Sequence, residues 1–327
     1  MLKDTYGRTI TNLRISVTDR CNFRCVYCMP KEPQWLPHKE ILSFEEIARL
    51  VNIFVKLGIN KIRLTGGEPT ARHDIIKLVE MVSSIDGVAD FSMTTNGAML
   101  KKLARPLWDA GLRRINVSLD TLDSEKFIHI TRRDGLKDVI EGLEAAEQVG
   151  FSPIKINVVA IRGENDGEIE SFAKLARTKP YQIRFIEFMP LEGDDFWSMD
   201  KVVPAEEIIE KISSVCPVVS AGNSPAEPAK LYKFTDGIGD IGVIASVTEP
   251  FCEFCNRIRL TAEGKLRTCL FSLKENETDL KYLLRNGTDD KMIADTITKA
   301  VWHKEEGHLI NTPYFKKPER AMYSIGG

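Results

Sequence analysis

Seven cysteines are spread unevenly along 327 residues, and their spacing is the strongest chemical signal in the chain. Cys21, Cys25 and Cys28 fall in the run Cys21-Asn-Phe-Arg-Cys25-Val-Tyr-Cys28; Cys252, Cys255 and Cys269 form a second triad; Cys216 stands alone. Three thiols this close converge only if a loop wraps a compact object. Structural zinc usually takes four ligands, and the residues around Cys21–Cys28 offer no fourth Cys or His. A four-iron cube held by three thiolates keeps one iron open for an outside ligand. The second triad admits zinc with Cys216 or His303 as a distant fourth ligand, or a second cluster with an open iron. Between its cysteines, Arg257 and Arg259 alternate along a strand, so they share a face and suit forked recognition of phosphate or carboxylate. On residues alone, both metals stay open at both triads.

The elements that must hold these groups follow a βα rhythm. Strand-like runs recur near 13–18, 61–65, 91–95, 114–119, 155–161 and 182–188, with helical patterns between them. Ser43-Phe-Glu-Glu46 is a capping box opening a helix that Gly58 closes; 100–110 ends at Gly111, and 136–149 at Gly150. Six such units predict an α/β fold built on a partial (β/α)6 barrel of TIM type. After Pro190 the rhythm fails. An acidic loop at 191–200 is expected, a helix at 204–214 with Pro204 near its first turn, a linker at 216–228, hairpins turning at Asp236-Gly237 and Glu263-Gly264, and a helix at 289–303. These mark residues 1–215 as the barrel and 216–327 as a C-terminal α+β region carrying the second triad.

Alternation along the strands adds a second message. Leu13, Ile15 and Val17 oppose Arg14, Ser16 and Thr18; Ile62 and Leu64 oppose Lys61, Arg63 and Thr65; Ile156 and Val158 oppose Lys155 and Asn157. Ordinary barrels fill the centre with Val, Ile and Leu. Here the apolar face meets the helices and a polar, cationic face is left for the lumen. Buried cations need an anionic partner, either an internal carboxylate such as Glu68, Asp120 or Glu187, or a bound ligand. Cys216 reads as a plain buried thiol, and the five histidines show no ligand spacing.

Composition sets the outer limits. Net charge is −2, with 43% hydrophobic and 28% charged residues, which gives no basic footprint for nucleic acid. No stretch is long and apolar enough for a membrane span and the N-terminus lacks a signal-like apolar run, so a cytoplasmic protein with reduced thiols is expected.

The C-x3-C-x2-C spacing with Tyr27 before the last cysteine, joined by Thr65-Gly66-Gly67-Glu68-Pro69 after the second strand, resembles the radical S-adenosylmethionine (SAM) superfamily. A second triad of the form C-x2-C-x13-C enclosing Asn256-Arg-Ile-Arg-Leu-Thr261 narrows the resemblance to the GTP 3′,8-cyclases of molybdenum cofactor biosynthesis, over nearly the whole chain down to the terminal Gly326-Gly327. That resemblance implies two [4Fe–4S] clusters, one on Cys21, Cys25 and Cys28 and one on Cys252, Cys255 and Cys269. It implies SAM contacts at Tyr27, Gly67, Ser118 and Met189, and GTP contacts at Arg14, Arg63, Thr94, Lys155, Arg257, Ile258 and Arg259, with Arg257 and Arg259 catalytic. The implied partners are GTP, an external electron donor, the cyclic pyranopterin monophosphate synthase that takes the product, and a second copy in a homodimer. The rival readings are a peptide-modifying radical SAM maturase and a non-enzymatic zinc- or cluster-binding protein.

Overall fold

The structure, a computed structural model, describes residues 1–191, 195–222 and 226–326. Six strands alternate with helices in the first part: β1 (Asn12–Ser16), β2 (Lys61–Thr65), β3 (Asp90–Thr95), β4 (Arg114–Ser118), β5 (Ile154–Ala160) and β6 (Tyr181–Glu187). Helices α1 (Phe44–Lys56), α2 (Ile75–Ser83), α3 (Leu100–Asp109), α4 (Ser124–Thr131), α5 (Leu136–Val149) and α6 (Ile169–Thr178) come between and beside them. All six strands are parallel neighbours in chain order. Helix α1 starts as expected. The Ser43 hydroxyl accepts from the Glu46 N–H at 3.1 Å, and the Glu46 carboxylate accepts from the Ser43 N–H at 2.7 Å. Its buried stripe of Ile47, Leu50, Val51, Ile53 and Phe54 lies in the cluster that also holds Leu13, Ile15, Ile62 and Leu64, which joins helix to sheet.

Residues beyond 200 give α7 (Ala205–Val215), β7 (Val218–Ser220), β8 (Lys230–Phe234), β9 (Asp240–Ile244), β10 (Arg257–Leu260), β11 (Lys265–Arg267), β12 (Thr278–Asp279), α8 (Leu280–Arg285), α9 (Asp290–Trp302) and α10 (Met322–Ile325). Both expected hairpins form, with Gly237 and Gly264 at positive φ in their turns. The hairpins also do something that the βα rhythm did not show. Strand β10 pairs in parallel with β1, and β9 pairs in parallel with β6. The central run is therefore β10-β1-β2-β3-β4-β5-β6-β9, eight parallel strands instead of six, with β11-β12 and β8-β7 added antiparallel at its edges. Each end of the six-stranded arc carries unpaired backbone groups, and the C-terminal hairpins satisfy them.

Pro204 is the N-cap of α7, next to its first turn as expected. Two local expectations need correction. The 216–228 linker contains β7, antiparallel to β8, since Val218 and Val219 are good strand formers whose partners lie far ahead in sequence. Cys216 is half-buried, with its sulfur 3.9 Å from the Thr235 hydroxyl. Among the described residues no helix is long and apolar enough to cross a membrane.

Candidate active site

The lumen face of the sheet carries a row of cations fixed by register. Arg259 on β10, Arg14 on β1 and Arg63 on β2 are lateral partners, and the row continues through Ser92 on β3 to Arg114 on β4. Neighbouring strands lie only about 4.8 Å apart, so side chains in such a row repel if nothing lies between them. One level further along, Lys155 stands beside Asn116 and Gln182, and Asn157 beside Arg184. Gly242 on β9 leaves room for Arg184, because a β-carbon there would come within 3.2 Å of the Arg184 side chain.

Asp90 pairs with Arg114 at the far end of this row, Nη1 to Oδ2 at 2.6 Å, but the other internal carboxylates do not neutralise it. Glu68 accepts from Thr95 Oγ1, the Thr70 N–H and the Asn96 N–H at 2.6 to 2.9 Å. Glu187 accepts from the backbone of Ala205, Val247 and Thr248 at 2.7 to 3.0 Å. Asp120 accepts from the Tyr27 hydroxyl at 2.6 Å and the Val159 N–H at 2.8 Å. All three are saturated by neutral donors. The Nε of Arg14 is buried with no hydrogen-bond partner among the described residues. Burial and the charges of Arg259, Arg63 and Arg257 push the Arg14 guanidinium well below its ordinary range; burial and neighbouring arginines hold Arg259 down to about 9 and Arg63 to about 10. Guanidinium groups stay charged even so. An anion bound there would relieve the repulsion in this row.

Two joined chambers receive those side chains. The first has a cavity volume of about 170 Å³ and is lined by Arg14, Arg63, Arg184, Arg257 and Arg259 together with Cys252, Cys255 and Cys269. The second has a cavity volume of about 160 Å³ and is lined by Cys21, Cys25, Cys28, Tyr27, Gly67 and Ser118. Thr94, Asn157, Ile186, Met189 and Met322 line both, so one lumen has a thiol triad at each end.

The expected site residues mostly meet here. Met189 and Thr94 sit at the waist, and Tyr27, Gly67 and Ser118 line the second chamber. Two behave differently. The Ile258 side chain is 1% exposed and packs in the core beside Leu13, its register partner, so only its backbone belongs to the lumen side. Lys155 is buried beside the Arg184–Arg114–Arg63 group but is not among the residues lining either chamber. Glycines 66 and 67 also answer a packing need. A β-carbon on Gly67 would lie 2.4 Å from the Asp19 carbonyl oxygen, and one on Gly66 2.7 Å from that of Thr18. They let the 66–68 turn dock on the loop leading into Cys21, where the Gly67 N–H donates to Thr18 O and the Glu68 N–H to Arg20 O, each at 2.7 Å.

Sequence reading missed Arg184, Lys304, His308 and Phe251 in the first chamber. Arg184 shares a face with Gln182 on β6, so the same alternation would have found it. Lys304 and His308 lie on irregular chain with no periodicity; His308, one of the histidines without ligand spacing, is half-buried and lines the chamber.

The thiols fit cluster ligation. Each triad faces a cavity, and three thiolates hold a four-iron cluster with one iron left open. Burial, then the Glu68 carboxylate, raises Cys21 to about 11, and burial with neighbouring thiols raises Cys25. Burial would also raise Cys255, but Arg257 and Lys304 outweigh it and bring that thiol down to about 6, ready to ligate as thiolate.

Two family descriptions match consecutive parts of the chain: the Radical SAM superfamily over residues 15–176, and Molybdenum Cofactor Synthesis C over 181–310. The chain is 46% identical to the GTP 3′,8-cyclase of Thermodesulfovibrio yellowstonii, with 100% of both chains covered. It is 46% identical to that of Rhodopirellula baltica, covering 100% of this chain and 92% of the relative, and 44% identical to that of Streptomyces coelicolor, covering 100% and 96%.

The chain belongs to the GTP 3′,8-cyclase family.

Its cofactors are therefore [4Fe–4S] clusters and SAM, and it is an enzyme. Among solved structures, Streptococcus suis SuiB bound to SAM has a TM-score of 0.64 at 16% identity, covering 96% of this chain and 76% of that one. A second structure of Streptococcus suis SuiB has a TM-score of 0.66 at 15% identity with the same coverage. At that identity the likeness shows the radical SAM fold alone. Membership of the cyclase family excludes the non-enzymatic reading.

Within this family, the cation row yields a pH prediction. Burial, then the charges of Arg184, Arg114 and Arg63, hold the Lys155 ammonium down to about 7. A bound polyanion reverses the sign of that field and raises the pKa. Binding then takes up a proton above pH 7, and affinity falls with rising pH by up to ~10-fold per unit until the pKa of the bound state is reached. Calorimetric titration of GTP at pH 8 in two buffers of different ionisation enthalpy should show this uptake, and Lys155→Met should remove it. Uptake that survives in Lys155→Met would take Lys155 out of the electrostatic site.

Proposed function

We propose that the chain converts GTP to (8S)-3′,8-cyclo-7,8-dihydroguanosine 5′-triphosphate, the first step of molybdenum cofactor biosynthesis. The observation that carries this reading is the single lumen with a thiol triad at either end and, on its wall, the adjacent Arg259, Arg14 and Arg63, which have no salt-bridge partner among the described residues. Residues 1–215 would serve as the radical-forming barrel and 216–327 as the part that supplies the second triad and closes the barrel edges.

Cys21, Cys25 and Cys28 would hold one cluster and Cys252, Cys255 and Cys269 the other. When bound, cluster and SAM supply 5′-deoxyadenosyl radical chemistry. The chain's own residues then do four things. Tyr27, Gly67, Ser118 and Met189 shape the SAM chamber, where the Tyr27–Asp120 hydrogen bond fixes the phenol against the wall. Arg14, Arg63, Arg184, Arg257 and Arg259 bind the triphosphate through charge-assisted hydrogen bonds. The waist at Thr94 and Met189 sets the distance between SAM and nucleotide. Burial of the whole lumen keeps water from a reactive sugar. An external electron donor and the cyclic pyranopterin monophosphate synthase that receives the product belong to the same proposal.

Arg257→Ala and Arg259→Ala are each expected to weaken GTP binding by about 1.5 to 3 kcal/mol, measured by equilibrium dialysis. Unchanged affinity would remove that side chain from the phosphate site. The decisive assay is anaerobic: the reconstituted protein is given reductant, SAM and GTP, and deoxyadenosine and nucleotide are followed by mass spectrometry. Deoxyadenosine formed together with an isomer of GTP supports the proposal. Deoxyadenosine with GTP left intact sinks it.

A further inference from the structure

We infer that Arg320 is a positioning residue whose paired carboxylates, Glu263 and Glu277, latch the C-terminal strap across the lumen and so align Arg259 for the substrate. The inference rests on the proposed GTP site only for what Arg259 then binds.

The latch is a four-membered ionic group on the second half of the sheet. Arg320 Nη1 lies 2.6 Å from Glu263 Oε1, Arg320 Nε lies 2.7 Å from Glu277 Oε1, and Arg320 Nη2 donates to Glu277 Oε2 at 2.8 Å. Arg267 donates to the same Glu277. The side chains of Arg267, Glu277, Glu263 and Arg320 are 0%, 3%, 8% and 16% exposed. Glu263 sits in the β10–β11 turn, Arg267 closes β11 and Glu277 precedes β12. Arg320 alone comes from the strap. Two cations and two carboxylates balance, so the group compensates its own burial, whereas removal of one member strands a buried charge.

Beyond Arg320 the chain turns inward. The Met322 N–H donates to Leu191 O at 2.8 Å, and the Tyr323 ring meets Trp35 edge-on at 5.8 Å between centroids. Ile325 is buried with Leu191, Val202, Val247 and Phe271, while Met322 lines both chambers. Gly326, at φ +81°, ends beside Ser16 and Thr65, where a β-carbon would lie 2.5 Å from Thr65 Oγ1. Its carbonyl accepts from Arg259 Nη1. That bond uses one of the five guanidinium donors and sets the plane in which the rest face the lumen. Beside the apolar anchors Met322, Tyr323 and Ile325, the Arg320 ion pairs are the buried charged contacts that tie the strap to the β10–β12 part of the sheet. Gly327 lies outside the described residues.

The test uses Arg320→Gln, Arg320→Lys and Glu263→Gln in the full chain. Hydrogen–deuterium exchange in cluster-free protein without nucleotide reads the strap directly, whatever the fate of the GTP assignment. Arg320→Gln should speed exchange of 319–326 by more than ~10-fold while β2 to β5 stay unchanged. In the reconstituted enzyme the KM for GTP should rise more than the KM for SAM. Arg320→Lys, which keeps the charge but not the two-carboxylate fork, should fall between. If Arg320→Gln does not fold, Glu263→Gln, which keeps the Glu277 pair, should show an intermediate gain in strap exchange. Strap exchange unchanged in the folded variants, or a freed strap with the KM for GTP unchanged, would overturn the latch.

Discussion

Cys25→Ala should abolish deoxyadenosine formation from SAM and cut the iron bound after reconstitution from about eight to about four atoms per chain. Cys252→Ala should lose the same share of iron yet keep reductant-driven SAM cleavage, now uncoupled from GTP. The asymmetry follows from placement. Cys25 lines the chamber with Tyr27, Gly67 and Ser118, whereas Cys252 lines the chamber of the arginine row. Cys25 is only partly buried and packs against the apolar core without belonging to it, so the truncation should leave the fold intact. Circular dichroism checks that point. Retained SAM cleavage in Cys25→Ala would reassign the first triad; lost cleavage in Cys252→Ala would mean that the two ends of the lumen are not independent.

The second large effect is expected from a single methyl group. In Gly67→Ala the new carbon meets the Asp19 carbonyl oxygen at 2.4 Å and that of Arg20 at 2.5 Å. Neither is the flexible end of a side chain. The 66–68 turn must lift off the 18–20 loop and give up the Gly67–Thr18 and Glu68–Arg20 hydrogen bonds. A stability loss of about 1 to 3 kcal/mol follows from overpacking. The catalytic loss should be larger, roughly 10²-fold in SAM cleavage, since the displaced loop carries Cys21. Gly167→Ala is the control, with nothing within 4 Å of the added carbon and an ordinary φ. Thermal unfolding and deoxyadenosine assays separate the two losses. A Gly67→Ala enzyme with near-normal cleavage would show that the loop tolerates the shift.

Much of the barrel was legible because each of its strands carries its own signal. In β1, Leu13 and Ile15 face the core while Arg14 faces the lumen, and period-2 alternation says so without tertiary information. The capping box at Ser43 and the helix end at Gly150 are equally local. The two outer parallel strands were not legible, because nothing in Arg257-Ile-Arg-Leu260 names Asn12–Ser16 as its neighbour; that choice is made by an unsatisfied sheet edge. Within the site, spacing gave the cysteines, and alternation gave Arg14, Arg63 and the placement of Lys155 on the lumen side. Ile258 came from the family resemblance alone, and alternation sends its side chain to the core. Lys304 and His308 reach the chamber from irregular backbone, where sequence order sets no direction for a side chain.

The parallel pairing of β1 with β10 has a temporal consequence. Asn12 and Arg257 are register partners. A chain growing from its N-terminus exposes the free edge of β1 until roughly its last quarter has been made. Such a long-range seam closes late and slowly, since a large loop must be ordered before any contact rewards it. During that interval the nascent barrel presents a bare strand edge, the kind of surface that recruits other chains. A ribosome-held chain stopped short of residue 257 is thus the species in which self-association and chaperone capture should concentrate.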